Sequence, residues 1–65
     1  MKRIRIEGMS CQHCVAAVTA ALESIEGIID VRVDLEAQEA TFEEKIPVDL
    51  DTIREKIEDE GYEVV

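Results

Sequence analysis

The spacing of apolar residues changes period along the chain, in an order that few folds accommodate. Ile4 and Ile6 alternate with Arg3, Arg5 and Glu7, and this period of two predicts a first strand over about residues 2–7 with one buried face. Val15, Val18, Leu22 and Ile25 then recur at intervals of three, four and three, which sets them on one helical stripe. Ala16, Ala17, Ala20 and Ala21 supply strong helix formers between them, and Gly27 is expected to close this helix, about 12–26, as a left-handed cap. Alternation returns at Val31, Val33 and Leu35 against Arg32 and Asp34, and again at Ala40 and Phe42 against Glu39, Thr41 and Glu43. So little chain separates these two segments, Glu36 to Gln38, that an antiparallel hairpin follows. The turn holds no Gly, Asn or Asp, so its type is not legible. Asp49 is placed to cap a second helix with Leu50, Ile53 and Ile57 on its stripe. Gly61 ends that helix, and Tyr62 to Val65 reads as a short last strand.

The order β-α-β-β-α-β is that of an α+β, ferredoxin-like open-faced sandwich, a four-stranded antiparallel sheet with two helices on one face. The expected core is Ile4, Ile6, Val15, Val18, Leu22, Ile25, Val31, Val33, Ala40, Phe42, Leu50, Ile53, Ile57 and Val64. Residues of this kind contribute roughly 1.5–3 kcal/mol each when fully buried, enough to fold 65 residues as one domain over 1–65 without a disulfide or a structural metal. Any metal bound would then be cargo.

Charge narrows the partners. Seven Lys/Arg against sixteen Asp/Glu leave a net charge of −9. Such acidity argues against nucleic acid and anionic membrane surfaces. No apolar run nears the ~18 residues that span a bilayer, and Glu7 interrupts any signal-peptide core, so a cytoplasmic protein is expected. The start at Met1 just before the first strand and the stop at Val65 suggest a complete small protein.

Chemistry concentrates in Gly8 to Cys14. The two cysteines, Cys11 and Cys14, stand three apart at the start of the first helix, where side chains share a face with Cβ atoms about 5–6 Å apart. The unpaired N–H groups and partial positive charge of a helix start favour thiolate, the form that binds metal. Two sulfurs and one nearby imidazole, His13, are too few for a structural zinc site, which takes four ligands. A soft ion content with few thiolates fits better, and Cu(I) is such an ion. Half of a zinc site shared between chains and a dithiol redox pair stay open on these grounds. A disulfide between residues so near in sequence would restrain little of the unfolded chain. No nucleophile–base pair or acid–base constellation suggests an enzyme.

Gly8-Met9-Ser10-Cys11-Gln12-His13-Cys14 resembles the Gly-Met-Thr/Ser-Cys-x-x-Cys signature of the heavy-metal-associated domain family. The helix after it, Gly27 with Val31 and Val33, and the ending Glu58-Asp59-Glu60-Gly61-Tyr62 are similar to that family as well, so the resemblance runs over the whole chain. It is nearest to small bacterial and archaeal copper chaperones and to the metal-binding domains of copper-transporting P-type ATPases. The resemblance implies that Cys11 and Cys14 bind Cu(I) and pass it by thiolate exchange, through three-coordinate sulfur intermediates, to a metal-binding domain of a copper-transporting P-type ATPase. It leaves open a copper-bridged homodimer, and a mercury or zinc protein in place of a copper one. Met9 matches a methionine that packs beneath the loop; the opposing reading makes its thioether a ligand. Tyr62 matches an aromatic near the metal, frequently Tyr in the soluble chaperones and Phe in the ATPase domains. Ser10 stands where zinc- and cadmium-transporting relatives often carry Asp, which favours Cu(I). His13 is expected off the sulfur face and exposed.

Glu55, Glu58, Asp59 and Glu60 crowd the end of the second helix, against its dipole, with Arg54–Glu58 and Lys56–Glu60 expected as offsetting pairs. This run is either a solvated face or a negative surface that steers a basic partner toward the metal loop.

Overall fold

The computed structural model describes residues 1–65. Its elements follow the order β1 (Lys2–Glu7), α1 (Gln12–Glu23), β2 (Ile28–Asp34), β3 (Glu39–Glu44), α2 (Leu50–Asp59) and β4 (Glu63–Val64). The strands form one antiparallel sheet in the order β2-β3-β1-β4, so each βαβ half contributes one central and one outer strand. Ile4 and Ile6 of β1, Ala40 and Phe42 of β3, Val18 and Leu22 of α1, and Ile53 and Ile57 of α2 belong to a single buried cluster. Both helices therefore pack on the same sheet face. The opposite face carries Arg3, Arg5, Arg32 and Asp34, all exposed. The period-two and period-3.6 readings thus place these residues correctly, and the fold is the ferredoxin-like sandwich.

Four local expectations are corrected. The first helix stops at Glu23, ahead of Gly27. Ser24 ends it: its hydroxyl donates to the Ala21 carbonyl at 2.7 Å, and its N–H takes the Ala20 carbonyl at 3.0 Å. Serine competes for backbone acceptors in this way, which is why it favours helix ends. Gly27, at φ +96°, instead makes the turn into β2, and its carbonyl accepts from Lys45 N–H at 2.6 Å.

The second strand begins at Ile28, earlier than the alternation from Val31 suggested, and Leu35 lies in the turn beyond its end. A register shift between Ile29 and Arg32, with Asp30 at φ +55°, marks a β-bulge. One extra residue reverses the parity of a strand. Ile28 is therefore buried on the same side toward which Val31 and Val33 pack.

The core differs accordingly. Met9 and Ile28 join it. Val15, Val31, Val33 and Val64 are half-buried at its margin, and Leu50 is 49% exposed. Leu50 is the first residue of α2, ahead of the turn whose Ile53 and Ile57 meet the sheet. Finally, Arg54 pairs with Asp51 at 3.8 Å and not with Glu58, and Lys56 makes no pair with Glu60. Asp51 lies one turn back along the same helix face, and exposed pairs of this kind contribute little in either direction.

Three loops meet at one end of the sheet: the β1–α1 connection, the β2–β3 turn and the α2–β4 connection. Asp49 caps α2 by accepting from Asp51 N–H at 2.9 Å. At the other end of that helix, Gly61 N–H donates to the Glu58 carbonyl at 2.9 Å and Tyr62 N–H to the Ile57 carbonyl at 3.3 Å. This is a Schellman arrangement, and it turns Tyr62 back toward the β1–α1 connection.

Candidate metal centre

Cys11 is the N-cap of α1, in extended conformation at φ −157°, and its side chain makes no capping hydrogen bond. Its carbonyl accepts from Cys14 N–H at 3.0 Å and Val15 N–H at 3.2 Å, so the first helical turn opens on the cysteine pair. Both thiols are free, Cys11 exposed and Cys14 half-buried, and their Sγ atoms lie 3.8 Å apart. The spacing read from sequence does bring the two sulfurs together.

Cys14 is poised as a thiolate. Its pKa falls from 9.0 to about 6. The Ser10 N–H is the largest cause; the Tyr62 hydroxyl, Cys11 N–H and the Ser10 hydroxyl follow, and partial burial opposes them. The Ser10 Oγ–Cys14 Sγ distance is 3.8 Å. Loop donors thus act on the sulfur individually, a more specific device than the diffuse field of a helix start. In return, Tyr62 is raised from its ordinary value, mainly because its hydroxyl proton is engaged by Cys14. Its ring also lies over Gly8, where Tyr62 Cδ1 would be 3.4 Å from a Cβ.

No group of three or more His, Cys, Asp or Glu side chains converges anywhere on the chain. His13 is exposed and stands outside the pair, as expected. Met9 is 5% exposed and packed in the core, which agrees with the packing role. A participant that linear reading missed is Gln38, whose side-chain amide reaches the Met9 carbonyl at 2.8 Å across 29 residues of sequence. The only hint in the sequence is a long amide in a turn that would ordinarily hold Gly, Asn or Asp.

A ferredoxin-like sandwich with an exposed dithiol at its first strand-to-helix connection defines a class of small thiolate-bearing domains. The profile of the heavy-metal-associated domain matches residues 3–63, and the chain belongs to that family. It is 42% identical over 66 residues to a probable copper-exporting P-type ATPase of Archaeoglobus fulgidus, covering 98% of this chain and only 8% of that protein. It is 41% identical over 64 residues to the copper chaperone CopZ of Bacillus subtilis, covering 97% of this chain and 93% of the chaperone. Among solved structures, a CopZ metallochaperone superposes with a TM-score of 0.89 at 37% identity, over 98% of this chain and 97% of that one. No helix is long and apolar enough to cross a membrane.

Proposed function

We propose that this chain is a cytoplasmic copper chaperone that holds one Cu(I) between Cys11 Sγ and Cys14 Sγ and delivers it to the metal-binding domain of a copper-transporting P-type ATPase. The observation that carries the reading is the dithiol itself: two free sulfurs 3.8 Å apart at an exposed helix start, one of them with a pKa of about 6. Thiolates suit a soft monovalent ion, and the absence of a third convergent ligand leaves a four-coordinate zinc site unfilled. The near-complete mutual coverage with a copper chaperone supports the same reading.

Delivery follows from how few ligands hold the ion. A thiolate of the partner adds to Cu(I), giving a three-coordinate ion. One of the two cysteines, the exposed Cys11 being more accessible, then leaves; a second thiolate of the partner adds, the remaining cysteine leaves in turn, and both freed sulfurs can take up protons. Nothing is oxidised, and each Cu–S bond made is matched by one broken. Glu58, Asp59 and Glu60 end the helix that leads through Gly61 to Tyr62, beside Cys14. Their charge would steer a partner carrying Lys or Arg around its own dithiol. The chain thus acts as a binding and transfer protein rather than an enzyme. A second reading, one metal-binding domain of an ATPase, is favoured by the 42% identity to the archaeal transporter.

Anaerobic Cu(I) titration against a competing chelator tests the proposal. One Cu(I) per chain is expected, held more tightly than Zn(II), and lost in the Cys11→Ser/Cys14→Ser double variant. Undiminished Cu(I) binding by that variant would refute it.

A further inference from the structure

The loop that bears the dithiol is held by few bonds. Its backbone from Gly8 to Ser10 makes no hydrogen bond to other backbone groups. Two polar contacts secure it, beside the packing of the Met9 side chain in the core and of the Tyr62 ring over Gly8. The Ser10 hydroxyl lies 3.8 Å from Cys14 Sγ, and the Met9 carbonyl accepts from Gln38 Nε2 at 2.8 Å. The first depends on a sulfur that a bound metal would engage. The second involves neither sulfur.

Gln38 is well placed for this. Its other amide hydrogen goes to the Leu35 carbonyl at 2.7 Å. Both neighbours are carbonyl oxygens, so the nitrogen end of the amide must face them, and both of its hydrogens are used. Its own carbonyl accepts from Ile6 N–H at 2.8 Å, which fastens the turn to β1 just before the loop begins. Gln38 has φ +56°, where residues other than glycine are uncommon. Glycine would take this conformation with less strain but could not supply the amide. Met9 is thereby fixed twice, by its side chain in the core and by its carbonyl on Gln38.

We propose that Gln38 is a positioning residue for the metal loop: its amide holds the Met9 carbonyl, fixes the backbone that presents Cys11 and Cys14, and so slows the release of bound metal. The second half rests on the reading of those cysteines as Cu(I) ligands. Gln38→Gly removes the amide and relieves the backbone strain. Gln38→Glu keeps length and shape but puts a carboxylate, with no donor, against the carbonyl.

Backbone ¹⁵N order parameters are measured first on reduced, metal-free protein. In both variants the values at Met9, Ser10 and Cys11 are expected to fall from about 0.85 to below about 0.6, with Ile6 and Glu39 unchanged. Cu(I) release to a competing chelator should then accelerate about five-fold, the equivalent of one ordinary hydrogen bond. Unchanged loop values in both variants overturn the proposal, as does a fall spread evenly over the sheet. Release rates equal to wild type, where wild type binds Cu(I), overturn the role in metal retention. A wild-type chain that takes up no Cu(I) defeats the chaperone reading instead, and the metal-free comparison then decides alone whether Gln38 holds the loop.

Discussion

Replacing Met9 separates the two readings of its side chain, because packing and ligation respond differently to the same change. The side chain is 5% exposed in a core of eleven buried residues that includes Ile6, Val18 and Phe42. Met9→Leu preserves volume and apolar character, and such exchanges cost less than about 1.5 kcal/mol. Met9→Ala removes most of the side chain and leaves a void, which costs about 2–5 kcal/mol. A chain of 65 residues has only about 3–10 kcal/mol of stability in all, at roughly 0.05–0.15 kcal/mol per residue. The alanine variant therefore sits near the edge of folding, with a midpoint lowered by about 10–30 °C. Thermal and urea denaturation of reduced, metal-free protein measure both variants, and Cu(I) titration follows on each. If the buried Met9 side chain serves packing alone, Met9→Leu should keep one Cu(I) per chain at wild-type affinity. Bound Cu(I) should partly restore the alanine variant, since a ligand that binds only the folded state stabilises it. Loss of copper from the leucine variant, or an alanine variant as stable as wild type, would contradict the packing assignment.

The depressed Cys14 pKa sets a pH profile. The thiolate is stabilised in the folded state, so its contribution is fully present above the unfolded value near 9.0 and is lost as pH falls through about 6. Alkylation of Cys14 by iodoacetamide, followed by mass spectrometry, should rise with a midpoint near pH 6, and Tyr62→Phe should move that midpoint upward by removing one of the lowering hydrogen bonds; a midpoint near 9 in wild type would show that the loop donors do not act on this sulfur. At Gly27 a Cβ would collide with Ile46 Cγ1 and lie 3.3 Å from the Ile46 carbonyl oxygen, and the residue has φ +96°. The Ile46 side chain is 51% exposed and has solvent to turn into, so the backbone conformation, with the neighbouring carbonyl, should outweigh the side-chain clash. Gly27→Ala is expected to cost about 1–2 kcal/mol by urea denaturation, and adding Ile46→Ala should recover little of it; full recovery would assign the cost to the clash.

What could be read along the chain was local. The two periods separate strand from helix at every element, because a strand repeats its faces every two residues and a helix every 3.6. Cys11 and Cys14 meet because three residues make most of a helical turn, and Gly61 ends α2 because a Schellman motif needs only the residues beside it. What failed was also specific. Ser24 ended a helix that the apolar stripe carried on to Ile25, and the bulge at Asp30 reversed the parity that brings Ile28 into the core. In both places a backbone device outweighed the hydrophobic pattern.

The chemistry around the dithiol was decided by topology. Tyr62 reaches Cys14 because α2 returns the chain beside β1, and Gln38 reaches Met9 because the β2–β3 turn lies against the end of β1. The sequence by itself thus determined which atoms would meet, a pair of sulfurs on one helical turn. Only the tertiary structure decided that Cys14 is poised as a thiolate and what holds the loop in place. The physical reason is that hydrogen bonds act over about 3 Å. Residues distant in sequence exert such forces only after the sheet has brought their loops to one end.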